Sequence, residues 1–185
     1  MATINKSKVT VINRGFIVIF IVICFLLSLI QSQEAYAEMK KVSVASKLLK
    51  TLITTDETYP DQTRVRFTNN LQIFSSADPD WDKAKVFNVR YFVNPTRDGD
   101  PYNGCVAITH HNGDQTFIKY AGSWKWVLPK DGLSWISESK GEFSGGTGKF
   151  EGISGTVTIK VEGKGPRHYV SSKWEFEYEM ASTNN

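Results

Sequence analysis

Between Lys173 and Met180 the chain alternates without a break, with Trp174, Phe176, Tyr178 and Met180 on one side and Lys173, Glu175, Glu177 and Glu179 on the other. A repeat of two is the period of a β-strand, whose successive side chains point to opposite faces, and it does not fit the 3.6-residue period of a helix. Such a strand must cover its ring-bearing face with other strands. That need narrows the fold more than any other feature of the chain.

The same rhythm returns upstream. Val65, Phe67, Leu71 and Ile73 fall on one face, with Asn69 as a polar exception, while Arg64, Arg66, Thr68, Asn70 and Gln72 fall on the other. Taking the apolar set as the buried one predicts a half-buried strand. Phe87, Val89, Tyr91 and Val93 form a second inward set by this reading, leaving Val86 and Phe92 on an outer face that would suit a subunit contact. Val106–His111 and Asp114–Lys119 flank Asn112-Gly113, the favoured centre of a two-residue hairpin turn. That turn pairs His110 with Gln115 and Ile108 with Phe117, and it directs His110, Gln115 and Lys119 inward, with a bulge expected near Gly122. Further strands are expected at Leu133–Lys140 and around Val157, Ile159 and Val161. Six or more strands joined by short turns, without a long amphipathic helix over 64–180, exclude a βαβ architecture and require a barrel or a two-sheet sandwich. Residues 38–63 read as a lead-in, with Leu48, Leu49, Leu52 and Ile53 spaced as on a short helix, and the β domain is expected over 64–185.

The first 37 residues have the layout of an export signal. Lys6, Lys8 and Arg14 precede the apolar run Phe16–Ile30, and Ala35-Tyr36-Ala37 offers the small side chains of a cleavage site. The run is shorter than the roughly 20 residues a membrane span needs. Cleavage before Glu38 would give a secreted or periplasmic protein with no stable membrane anchor. It would remove three of the 22 basic and one of the 19 acidic residues, leaving a net charge of +1, so nucleic acid is not an expected partner. Cys105 would then have no cysteine to pair with, and it is expected to be a buried, inert thiol.

The glycine-rich stretch Gly145-Gly146-Thr147-Gly148-Lys149-Phe150-Glu151-Gly152-Ile153-Ser154-Gly155 does not make a phosphate loop. Phe150 follows Gly148-Lys149 where Ser or Thr is required, Phe143 stands at the leading glycine position, and a strand follows where a helix is needed. Its glycines suit tight turning, with Phe150 and Ile153 folding inward as a plug. The pattern Gly-Gly-Thr-Gly-x-Phe-Glu-Gly-x-x-Gly-x-Val from Gly145 to Val157 resembles that of the allene oxide cyclase barrel superfamily. That superfamily includes plant allene oxide cyclases, dirigent proteins and bacterial secreted proteins. Glu151-Gly152 departs from the dirigent continuation, and the His111–Phe117 and Ser123–Trp126 stretches are most similar to the bacterial members. The resemblance implies an all-β, eight-stranded antiparallel barrel with an apolar cavity, often trimeric. It transfers no catalytic residue, because the shared motif is a turn that serves the fold.

The polar groups assigned inward are Asn69, Tyr91, His110, Gln115 and Tyr178, a few polar side chains among apolar ones, as in a ligand pocket. They form the candidate ligand-binding set. His110 and His111 point to opposite faces of one strand, and no ligand spacing implies a metal or another cofactor. No nucleophile elbow or glycosidase signature is present. The leading expectation is a non-catalytic barrel that binds a small hydrophobic molecule or serves a structural role. The alternatives are a cyclase or isomerase acting by confinement and a module that assembles subunits through its outer face.

Overall fold

The computed structural model describes residues 38–95, 100–127, 132–165 and 168–181. Eight antiparallel strands close into a barrel in simple sequence order: β1 Lys40–Thr58, β2 Arg64–Ser76, β3 Lys85–Val93, β4 Pro101–Thr109, β5 Gln115–Val127, β6 Ser134–Gly146, β7 Ser154–Lys164 and β8 His168–Glu179. The export segment proposed for residues 1–37 lies outside the described residues. The stretch read as a short helix or lead-in is instead most of β1, whose residues pair with β2 as far as Thr58↔Arg64. From Lys47 to Thr58 this strand is exposed apart from the half-buried Leu48, so Leu49, Leu52 and Ile53 face no core, and their spacing did not report a buried helical stripe.

Closure comes from β1 pairing with β8 over Lys40↔Tyr178 to Ser46↔Ser172. Tyr169 fixes the upper end of this seam. Its hydroxyl lies 2.8 Å from Ser46 Oγ and also donates to the Ser46 carbonyl at 3.1 Å. The first strand starts and the last strand ends at the same end of the barrel, which also carries the loops after β2, β4 and β6.

That end is filled. Trp81, from the β2–β3 loop, is fully buried and stacks on Phe176 with ring centroids 4.3 Å apart. It also meets Phe143, Phe150, His110 and Tyr178, and its indole N–H donates to the Tyr178 hydroxyl at 3.1 Å. Phe150 and Ile153 do fold inward, from the turn that follows β6. This turn is tied to the β4–β5 hairpin, with the Gln115 N–H donating to Thr147 Oγ1 and the Lys149 N–H to the Asp114 carboxylate. Gly148 has a positive φ of 57°, and any Cβ there would strike Asp114, so two constraints call for glycine at this position.

The interior phase of β8 and β7 is the one alternation predicts, with Trp174, Phe176, Tyr178, Val157, Ile159 and Val161 inside. In β2 and β3 it is reversed. Asn70, Gln72 and Phe74 are buried with Arg66 and Thr68 in the same inward row, and β3 turns Val86, Asn88, Arg90 and Phe92 inward. Val86 and Phe92 therefore belong to the interior, and the outer surface here carries Phe87, Val89, Tyr91 and Val93. The interior polar groups are bonded to one another, which makes their burial tolerable. Ser46 donates to Gln72 at 2.5 Å, Gln72 to Asn70 at 2.7 Å, and Tyr120 to Asn88 at 2.5 Å.

The Asn-Gly hairpin also differs from expectation by one residue. The His110 N–H donates to the Asp114 carbonyl and the Gly113 N–H to the His110 carbonyl, leaving a three-residue loop with Gly113 at φ 91°. Ile108 consequently pairs with Thr116 and Thr109 with Gln115. A one-residue slip moves every side chain of a strand to the other face, so Gln115, Phe117 and Lys119 point outward while Thr116, Ile118 and Tyr120 are buried. The irregularity in the β5–β6 ladder falls at Phe117 and Ile118, which pair with Gly145 and Phe143 and leave Ser144 of β6 unpaired, not at Gly122. Cys105 is exposed on the outside of β4, because its neighbours Gly104 and Val106 take the inner positions.

Candidate functional site

The end opposite the aromatic plug opens as a cavity of about 1030 Å³, at the upper limit of the roughly 300–1,000 Å³ of ordinary ligand pockets. Its apolar wall consists of Phe92, Trp124, Trp126 and Trp135. Trp124 and Trp126 meet edge to face at 5.3 Å, and Trp126 lies opposite Trp135 in the β5–β6 register. Trp135 lies over Gly163 of β7, and Tyr120, below the cavity, lies over Gly104 of β4. A Cβ at either glycine would enter the ring that covers it. Glycine inside a strand here marks close approach by a ring.

The polar side of the cavity holds Asp56, Arg66, Thr68, Arg90, Asp100, Tyr102 and Ser137. Arg66 grips Asp56 with two bonds, Nε at 2.7 Å and a terminal nitrogen at 3.0 Å. The bond from Arg66 holds the Asp56 carboxyl below its ordinary range, which makes it a weak base. Arg90 lies deeper, between Asn88 and Phe92 on β3, with its guanidinium 5.7 Å from the centroid of the Tyr102 ring. Its Nε is buried and has no hydrogen-bond partner. Arg90 also borders an inner void of about 10 Å³, shared with Gln72, Asn88, Tyr120, Ser139 and Ser172, on the scale of a single water.

Tyr102 bonds both Ser137 and Ser139, the latter at 2.6 Å. Burial pushes the Tyr120 hydroxyl far above its ordinary value, and it raises Tyr169 as well. Both phenols therefore remain protonated at neutral pH and act as hydrogen-bond donors. Guanidinium, phenol and serine groups around the cavity floor can hold oxygen atoms of a ligand, while Asp56 is committed to Arg66.

The five residues selected from sequence do not meet in this cavity. His110 and Tyr178 do point inward, but into the filled end, where each touches Trp81. The carbonyl of Asp80 can only accept, so His110 Nδ1, 2.7 Å away, carries the proton, and Nε2 accepts from Thr116 at 3.2 Å. Asn69, Tyr91 and Gln115 lie in the outward phase for the reasons of phase and register given above. Gln115 donates to Thr109 at 3.2 Å, and Tyr91 is 38% exposed beside Phe67 in a shallow outer depression with Val65 and Val93. At the turn, the Asp114 carboxylate accepts from the Asn112 side chain and the Lys149 N–H.

Sequence reasoning overlooked Arg66, Arg90, Tyr102 and the three mouth tryptophans as site residues. Glycines at 104, 122, 141 and 163 carried the missing signal, since they mark the inner phase of β4 to β7. Comparison of the chain with family models, curated proteins and solved structures finds no match.

Proposed function

We propose that this protein is a non-catalytic binding barrel that takes a small amphipathic molecule into its open end. The observation that carries the reading is the asymmetry of the interior. One end is packed with interlocking rings, and the other keeps a cavity of about 1030 Å³ with indoles on one side and a half-buried arginine on the other. A barrel required only for structure gains nothing from an unfilled end, whereas a pocket of mixed character is the usual form of a small-molecule site. The export layout read in the first 37 residues supports a location outside the cytoplasm. The closed eight-stranded topology and the structural use of the Gly145–Val157 segment support the resemblance to the allene oxide cyclase barrel superfamily.

Native mass spectrometry of the protein incubated with extracts of its host tests the proposal. A bound small molecule is expected on the parent protein and absent from Thr68→Trp, which puts an indole into the cavity beside Arg90. Equal loading of both proteins, or no bound compound from any extract, would overturn the reading.

A further inference from the structure

The chemical class of that molecule can be read from the cavity floor. We infer that the ligand is a planar aromatic anion, with its carboxylate or sulfonate directed down to Arg90 and its ring held among Trp124, Trp126 and Trp135. The inference rests on the binding reading above and narrows it.

The four charged side chains among the described residues of the cavity do not play equal parts. Arg66 is consumed by its two-pronged bond to Asp56, near the rim where both are partly exposed, and Asp100 adds a second negative charge acting on Arg66. Arg90 lies lower and is bound to neither of these carboxylates by its Nε, which is buried without a partner. A guanidinium stays charged at any physiological pH, and a buried donor left unpaired is costly. Its flat fork suits an oxyanion better than any neutral group, and such charge-assisted bonds are about twice as strong as neutral ones. The Tyr102 and Ser137 hydroxyls, bonded to each other, share the floor, while the Tyr102 ring keeps one side of the guanidinium apolar. Above them the walls are rings, with indole faces and edges set at steep angles that suit a flat ligand. An uncharged ligand would leave the permanent charge of Arg90 unanswered, and a flexible alkyl chain would make less use of the indoles.

Two dyes with one ring skeleton separate these terms: 8-anilinonaphthalene-1-sulfonate, which carries a permanent negative charge, and uncharged N-phenyl-1-naphthylamine. Each is titrated by fluorescence into the full chain as purified and into variants checked for native melting. On the parent the sulfonate is expected to bind at least about tenfold more tightly than the uncharged dye, a difference of 1.4 kcal/mol. Arg90→Gln should abolish that preference and leave the uncharged dye within about twofold of its parental affinity; Arg90→Lys, retaining charge without the fork, should be intermediate. Thr68→Trp should weaken both dyes.

If the two dyes bind the parent equally and both weaken in Thr68→Trp, the anion inference is overturned while the binding site stands. If neither dye responds to Thr68→Trp, the site itself is refuted. Laurate competing more strongly than the sulfonate dye would overturn the aromatic half. An Arg90→Gln protein that melts early leaves Arg90→Lys to decide, and parental sulfonate affinity in that variant counts against recognition by the fork.

Discussion

Replacing Trp81 with alanine should cost far more stability than the same change at Trp124, although both are tryptophans of the barrel interior. Truncating a fully buried tryptophan costs about 3–5 kcal/mol through lost transfer energy and the cavity left behind. Trp81 is at that limit, with no exposed surface and ring contacts to Phe74, Phe143, Phe150, Phe176, Tyr178 and His110. Losing its bond to Tyr178 leaves a buried hydroxyl short of a partner, adding about 1 kcal/mol. The expected loss is therefore about 4–6 kcal/mol, a large share of the roughly 5–15 kcal/mol that holds a typical domain together. Trp124 is half-buried at the mouth, beside open volume, and its truncation should cost about 1–2 kcal/mol. Urea unfolding followed by far-ultraviolet circular dichroism measures both, and Trp81→Phe should fall between them. Equal losses at positions 81 and 124 would refute the division of the interior into a packed end and an open one.

Three further outcomes follow from named groups. Burial holds the His110 imidazole below its ordinary pKa, with Lys149 acting in the same direction and Asp80 and Asp114 opposing. The unfolded chain thus binds the proton more readily, so stability present above about pH 6.5 is lost as pH falls, and His110→Gln should flatten the change in urea midpoint between pH 7.5 and 5.5. Gly104→Ala forces a methyl into the Tyr120 ring and should lower stability by about 1–3 kcal/mol, measured by thermal melting. Cys105 should react with a maleimide in the native protein, without denaturant; protection until unfolding would contradict its place on the outer surface.

Much of the barrel can be read from sequence, and the errors in β2 and β3 share one cause. In β8 the inside is apolar and the outside charged, so Trp174 to Tyr178 show their faces directly. In β2 and β3 the interior row runs Arg66, Thr68, Asn70, Gln72 and then Asn88, Arg90, because these side chains surround a cavity or bond to each other. The outer row is the oily one, with Phe87 41% exposed. A rule that sends apolar residues inward therefore inverts both strands and carries Asn69 and Tyr91 with them. The hairpin error is of another kind: Asn-Gly serves two-residue and three-residue loops alike, and the choice moves Gln115 and Lys119 across the sheet. His110 and Tyr178 were placed inside correctly, but alternation does not tell a filled end from an open one.

The direction of the strands has a practical side. Because β1 begins and β8 ends beside the Trp81 plug, Lys40 and Glu179 both lie at the sealed end. A protein fixed to a solid support through either of these ends would present its indole-lined opening to the bulk solution. The barrel is thus suited to surface capture measurements in which attachment and small-molecule access do not compete.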